Sequence, residues 1–270
     1  MTDQENVTRR RAITLLGGIG AAALIGCSSS DNKTATSGGS ASSSSSSTSS
    51  SSSASAASSA AVVDQAIPEE TAGPYPGDGS NGPNVLTQDG IVRSDITTSF
   101  GSSSGTASGI PTTIELTIVN VADNGAPYEG AAVYLWHCDQ GGNYSLYSQG
   151  VTNQNYLRGI QAAGSDGKVR FTTIFPAAYS GRWPHVHYEV YPSLAEAKNV
   201  GNKIATSQLA LPEDICNAVY ATSGYEQSVK NMKSLSLATD MVFQDGADRE
   251  TPSVTGDANS GVTFSLTVPV

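Results

Sequence analysis

The chain has 270 residues with 14 basic and 24 acidic side chains, a net charge of −10 at pH 7. That acidic balance argues against nucleic acid as a partner and offers no broad basic surface to anionic lipid. No internal repeat is visible along the chain.

Residues 1–27 read as an export signal. Thr8-Arg9-Arg10-Arg11 carries a twin arginine, followed by the apolar run Ala12 to Ile25. That run is short of the roughly 20 apolar residues a spanning helix needs. Ala12 departs from the bulky apolar residue usual after a twin arginine. Leu24-Ile25-Gly26-Cys27 is similar to the lipobox of bacterial lipoproteins, which makes Cys27 the expected lipidation site and first mature residue. An ordinary secretory signal is the competing reading. Residues 28–61 collapse to Ser, Ala, Thr and Gly and cannot bury enough apolar surface to offset the entropy of ordering, so they read as a flexible tether. A coil of that length spans on the order of 30–35 Å. Without the leader the chain keeps 11 basic and 22 acidic side chains, about −11 in charge.

Residues 62–270 then form one domain of all-β character, a β-sandwich with short helices and long loops. Ile114-Glu115-Leu116-Thr117-Ile118 and Val262 to Val268 alternate apolar and polar residues as half-buried strands do. Ala131 to Trp136 predicts a buried strand, and Val169 to Ile174 follows an Asp166-Gly167 turn. Helical pieces are expected at Leu194–Val200 and Pro212–Ala221, the second opening on a proline and the acidic pair Glu213-Asp214.

The chemistry concentrates in Tyr179-Ser180-Gly181-Arg182-Trp183-Pro184-His185-Val186-His187. Side chains alternate along a strand, so His185 and His187 share one face while Val186 points into a core. Two imidazoles on one face can grip a metal ion, and a tyrosine just upstream can add a third donor. His137, the remaining histidine, ends a buried strand and reads as structural. A zinc site of Cys and His ligands is the weaker alternative, because only Cys138 and Cys216 remain in the domain. An even pair of cysteines in an exported domain predicts one Cys138–Cys216 disulfide, with two separately buried thiols as the competing reading. No Gly-x-Ser-x-Gly or Gly-rich string stands between a predicted strand and a predicted helix, so no nucleophile elbow, phosphate loop or dinucleotide fingerprint is read.

Several motifs in order resemble the intradiol ring-cleavage dioxygenases, which include the catechol and protocatechuate enzymes. They are Val133-Tyr134-Leu135-Trp136-His137-Cys138-Asp139, Gly142-Asn143-Tyr144-Ser145, Tyr156-Leu157-Arg158-Gly159, Asp166-Gly167, and Phe175-Pro176 through His187. Thr71-Ala72-Gly73-Pro74-Tyr75 and Val92-Arg93-Ser94-Asp95 are similar to the family's upstream segments. The resemblance runs from about Ile67 to Gln208. It implies one non-haem Fe(III) per chain held by Tyr144, Tyr179, His185 and His187. Phenolate oxygen suits a hard trivalent cation and imidazole suits iron. Tyr179 corresponds to the ligand displaced when substrate binds, trans to His185. Arg182 matches the arginine that stabilises charge on the substrate ring. Gln208 resembles its glutamine partner, across a loop that is longer here. Gly73, Pro74 and Tyr75 are similar to a segment lining the substrate cavity.

The resemblance thus implies an iron enzyme that takes a small aromatic diol and O2 to a cis,cis-muconate-type diacid without nicotinamide or flavin. The alternative is a lipoprotein of the same fold that binds catecholates or iron without turnover. The membrane link is the lipid anchor, facing the periplasm or cell exterior, and related enzymes often pair as homodimers. Tyr147 and Tyr188 read as packing or surface tyrosines, and Trp183 as pocket wall or core.

Overall fold

A computed structural model describes Val63 and residues 65–270. The export signal, Cys27 and the tether lie outside the described residues. Among the described residues nine strands form two sheets. β1 (Pro111–Asn120) is the hub of the first: β2 (Ala126–Pro127) and β5 (Lys168–Ile174) pair with it antiparallel, β9 (Gly261–Pro269) runs parallel to it, and β8 (Ser253–Asp257) pairs with β9. The second sheet has the order β4 (Arg158–Ala162), β3 (Ala132–Trp136), β6 (His185–Tyr191), β7 (Ala205–Ala210), all antiparallel. The sequence expectations at 114–118, 131–136, 169–174 and 262–268 all fall on these strands.

The alternation read from the sequence orients the first sheet. Ile114, Leu116 and Ile118 of β1, Val169 and Phe171 of β5, and Val262, Phe264 and Val268 of β9 point into one core. Val133, Leu135, Val186, Tyr188, Val190 and Leu209 of the second sheet meet them there. This is a β-sandwich closed by hydrophobic burial between two inner faces. The Asp166-Gly167 turn joins β4 to β5, with Gly167 at φ +74°. A Cβ there would lie 2.4 Å from the Ile118 carbonyl oxygen, so only glycine fits.

The second sheet is buried on both faces, which is why all seven residues of β6 are buried rather than every second one. Its outer face carries Tyr134, Trp136 and Tyr191, covered by Val85, Leu86, Ile91, Tyr144 and Ala177 from long loops. The Glu189 carboxylate accepts from Tyr191 Oη at 2.7 Å and Lys203 Nζ at 3.0 Å.

Two helices follow β7. α1 (Glu213–Tyr220) starts after Pro212, as expected, and buries Cys216, Val219 and Tyr220, the i, i+3, i+4 stripe of a one-sided helix. α2 (Glu226–Met232) succeeds it. The helix expected at Leu194–Val200 is instead two 3-10 turns, Glu196–Lys198 and Val200–Asn202. Asn199 breaks it: its backbone is extended, and its side chain accepts from the Gly201 N–H to start the second turn. Among the described residues no helix is long and apolar enough to cross a membrane.

The expected Cys138–Cys216 disulfide is not formed; both are buried free thiols. Cys138 packs in the layer over the outer face of the second sheet, with its Sγ toward the Ala177 carbonyl. Cys216 packs from α1 into the inner core, with its Sγ toward Leu211. Burial pushes both thiols well above their ordinary pKa, so neither carries the thiolate that exchange needs. Even cysteine arithmetic gives no information about which face of a sheet each thiol occupies.

Candidate metal centre

The outer face of β6 presents His185 and His187 side by side, Nε2 to Nε2 at 3.1 Å. His185 Nδ1 is hydrogen-bonded to the Trp183 carbonyl, so it carries the proton and Nε2 keeps its lone pair. His187 is oriented by stacking: Trp136, its neighbour across the β3–β6 register, lies parallel to its ring at 4.9 Å and 4°. Gly73 passes so close behind that a Cβ there would sit 3.3 Å from His187 Cε1, at φ +68°. The glycine permits that approach.

Two tyrosines arrive from loops. Tyr179 lies between β5 and β6, in a segment tied down by the helices. Ser228 Oγ accepts from Ala178 N–H at 3.1 Å, and Asn231 Nδ2 donates to the Ala178 carbonyl at 2.8 Å. The hydroxyls of Tyr220 and Tyr225 donate to the carbonyls of Pro176 and Phe175. Tyr144 lies in the β3–β4 loop, whose start is capped by the Asp139 carboxylate accepting from the Gly141 and Asn143 N–H groups. Tyr144 Oη stands 3.3 Å from both Tyr179 Oη and His185 Nε2, and Tyr179 Oη is 3.1 Å from His185 Nε2. Four donor atoms from β6 and two loops therefore converge on one point.

The donor chemistry fits a cation at that point. Burial, with the Arg182 charge second, pushes His185 down to about 3. Burial and then His185 lower His187 well below its ordinary value. Both imidazoles are neutral lone-pair donors at any physiological pH. Burial, followed by the neighbouring tyrosine, holds Tyr144 well above the ordinary phenol value. Burial and then the Cys138 side chain raise Tyr179. Only a strong positive charge makes phenolates of two such groups, and a trivalent metal supplies it.

A cavity of about 650 Å³ opens over the cluster, lined by Thr71, Gly73, Pro74, Tyr75, Tyr144, Tyr179 and Arg182, with Met241 on its rim. Tyr144 is buried beneath it, whereas Tyr179 is half-buried and borders the open space. Arg182 Nη2 donates to Gln208 Oε1 at 2.7 Å, and Gln208 Nε2 donates to the Thr71 carbonyl at 2.8 Å. The structure thus gathers Tyr144, Tyr179, His185, His187, Arg182, Gln208, Gly73, Pro74 and Tyr75 around one space.

His137 stands apart from this cluster. Its Nδ1 pairs with the Cys138 carbonyl and its Nε2 with Thr173 Oγ1, a structural role. Trp183 is core: it is buried with Val242 and Phe243, and its indole N–H donates to the Leu211 carbonyl. Tyr188 is buried in the inner core; Tyr147 packs beside Tyr75 and donates to the Asn81 carbonyl.

Two functional side chains escaped the sequence reading of roles. Arg158, quoted only as part of a motif, is buried and holds the Tyr75 and Tyr144 segments together through its guanidinium. Asp240 pairs with Arg182 at 3.0 Å from a distant part of the chain. Burial pushes its carboxyl up, but the N–H groups of Trp183 and Val242 and the Arg182 charge outweigh that and leave it below its ordinary value. Leu146 and Leu157 both hold positive φ, +73° and +57°, beside the Arg158–Ser145 contact. Backbone in that region costs on the order of 1–3 kcal/mol per residue, so the surrounding packing has to over-determine it.

Comparison with known proteins agrees with the geometry. Residues 81–200, which include both candidate tyrosines and both candidate histidines, match the family model described as dioxygenase. A 56-residue stretch is 38% identical to chlorocatechol 1,2-dioxygenase of Rhodococcus opacus, covering 21% of this chain and 22% of that enzyme. The chain thus spans about a fifth of the length of the curated relative it matches. An intradiol ring-cleavage dioxygenase from Tetranychus urticae shares the fold at a TM-score of 0.58 and 23% identity, over 76% of this chain and 94% of that one. A further dioxygenase crystal structure aligns at 0.59 and 24%, over 76% and 93%. The ordered motifs lie on one β-sandwich, the dioxygenase family model is matched across the strand that bears both histidines, and the solved structures that share this fold are intradiol ring-cleavage dioxygenases.

Proposed function

We propose that this domain is an Fe(III)-dependent intradiol dioxygenase that cleaves a catecholic ring between its two hydroxylated carbons, giving a cis,cis-muconate-type diacid. The observation that carries the reading is the convergence of two phenol oxygens and two imidazole nitrogens, each within 3.3 Å of a neighbour, at the floor of an open cavity. Tyr144, Tyr179, His185 and His187 would hold the metal. Ferric iron bound there supplies a Lewis-acidic centre that makes a chelated diol a dianion and lets its ring electrons reach O2.

The chain's own residues do the rest. Both tyrosines line the cavity, but Tyr144 is buried and Tyr179 only half-buried, so Tyr179 Oη is the more accessible oxygen to take a proton from an incoming diol. His185 and His187, neutral and fixed by Trp183 and Trp136, hold their lone pairs in place throughout. Arg182, oriented toward the cavity wall by Gln208, stabilises negative charge on the bound ring. Tyr75 packs at a tilt against Tyr144, ring centroids 5.1 Å apart, and lines the same cavity.

Oxygen uptake with a panel of catechols, with product identification, tests the reading. One O2 consumed per ring and a muconate-type product are expected. A yellow extradiol semialdehyde refutes the regiochemistry, and catecholate binding without oxygen uptake favours a binding protein over an enzyme.

The sequence supports a placement to match: export through the signal at 1–27, acylation of Cys27 and a tether over 28–61 ahead of the domain at 62–270. Detergent partitioning of the full chain, lost in Cys27→Ala, is the expected result. Full-length protein free in the medium with Cys27 unmodified rules the anchor out.

A further inference from the structure

Arg182 reaches the cavity wall from an irregular loop, where a long side chain has no intrinsic reason to hold one direction. Three groups hold it. Its Nε donates to Asp240 Oδ2 at 3.0 Å and Oδ1 at 3.3 Å, its Nη2 donates to Gln208 Oε1 at 2.7 Å, and Phe243 places its ring centroid 5.8 Å from Cζ. Among the described residues no acceptor takes Nη1, which leaves it for a molecule in the cavity that Arg182 lines.

Asp240 is itself immobile. The N–H groups of Trp183, Val242 and Phe243 donate to its carboxylate at 2.6, 2.9 and 3.3 Å, and its side chain is 1% exposed. It sits between two 3-10 turns, Leu237–Thr239 and Phe243–Asp245, and Val242, Phe243 and Ala247 pack this segment onto Trp183. The segment lies outside the residues matched by the family model. It reaches Arg182 only through the tertiary fold.

We propose that Asp240 is the positioning residue of this site: its carboxylate clamps the Nε edge of Arg182 and aims the free Nη1 edge at a diol bound in the cavity. What Arg182 does rests on the ring-cleavage reading; how it is held does not. A planar guanidinium gripped on one edge presents its opposite edge in a fixed direction, which a single ammonium cannot do. The Asp240 charge also offsets that of Arg182, so the pair adds no net charge beside the donor cluster.

A double-mutant cycle on the iron-loaded full chain tests this, with wild type, Arg182→Gln, Asp240→Asn and the double variant. The readouts are iron content, anaerobic catechol affinity and kcat. Asp240→Asn keeps the side chain's shape and an acceptor for the Val242 N–H. It is expected to lower kcat about 10- to 100-fold at unchanged iron content. Added to Arg182→Gln, it is expected to lower kcat by less than about 2-fold more, because two residues acting as one unit do not add. Losses that multiply, or an Asp240→Asn enzyme with wild-type kcat, overturn the proposal.

Should Asp240→Asn fail to fold, Arg182→Lys decides, since it leaves Asp240 and its backbone bonds intact. Loss as deep as in Arg182→Gln is expected, and retention of most activity overturns the proposal. If wild type takes up no oxygen, the ring-cleavage reading fails and the clamp is read directly. The Arg182 Nε–H resonance, followed with diamagnetic gallium(III) in place of any bound iron, should exchange slowly in wild type and fast in Asp240→Asn. Equal exchange in the two overturns the clamp.

Discussion

His187→Ala is expected to leave a folded domain that no longer retains iron, whereas the wild-type protein should be burgundy to red. The colour follows from charge transfer between two phenolates and ferric iron; it requires Tyr144 and Tyr179 to be bound through oxygen. His187 contributes no hydrogen bond to the fold beyond the cluster, since its Nδ1 is unpartnered and its ring is held by stacking on Trp136. Truncation therefore removes a donor without unpairing other polar groups. Even outer-shell partners of a metal are worth about 10- to 100-fold in affinity, so a direct donor should cost at least that much. Tyr144→Phe and Tyr179→Phe should each weaken or shift the visible band. Metal analysis and the absorption spectrum check all three. A colourless protein that retains stoichiometric zinc, and stays inactive after iron reconstitution, would sink the site assignment.

Arg158→Met should destabilise the domain by about 2–6 kcal/mol. Arg158 is 1% exposed, and among the described residues no carboxylate forms an ion pair with it. Oxygen dipoles solvate its charge instead. Nε donates to Ser145 Oγ at 3.0 Å, Nη1 to the Pro76 carbonyl at 2.7 Å and Tyr134 Oη at 3.2 Å, and Nη2 to the carbonyls of Tyr75 and Ser145, both at 2.9 Å. Methionine matches the stem but strands the Tyr75 and Ser145 carbonyls, whereas the Pro76 carbonyl keeps the Tyr134 hydroxyl; each unpaired group costs about 1–3 kcal/mol. The strain at Leu146 and Leu157 would then lose the contact that over-determines it. Because Ser145 adjoins Tyr144, and Tyr75 lines the cavity, iron retention should fall along with stability. Denaturant unfolding measures the loss, and a change below about 1 kcal/mol would contradict this account.

Much of this molecule is legible from local pattern, for a physical reason. A strand has a side-chain period of two, so His185-Val186-His187 specifies two donors on one face and an apolar residue on the other before any fold is known. The same period placed β9 within one residue of its observed ends and marked the middle of β1, which starts three residues earlier and ends two later, while β5 was read from the turn before it. Tyr144 was found by resemblance, through motifs in fixed order, and Tyr179 first as a loop donor just upstream of the histidines. Nothing in their own loop sequences says that their hydroxyls meet at 3.3 Å. That distance depends on α1 and α2, whose Tyr220, Ser228 and Asn231 hold the Tyr179 loop from a separate part of the chain.

Where the sequence reading failed, the missing information was spatial. Counting cysteines suggested a bridge, but Cys138 and Cys216 point into different layers around the second sheet. At Leu194–Val200 helical propensity was overridden by Asn199, whose side chain bonds its own backbone instead. Asp240 is 58 residues from Arg182, and an exposed loop aspartate looks no different in sequence from a buried one. Local pattern therefore determined several of the strands and the face that bears the histidines. Only the tertiary structure decided which distant polar groups meet, because hydrogen bonds between loops depend on packing of the whole chain and leave no repeat in the sequence.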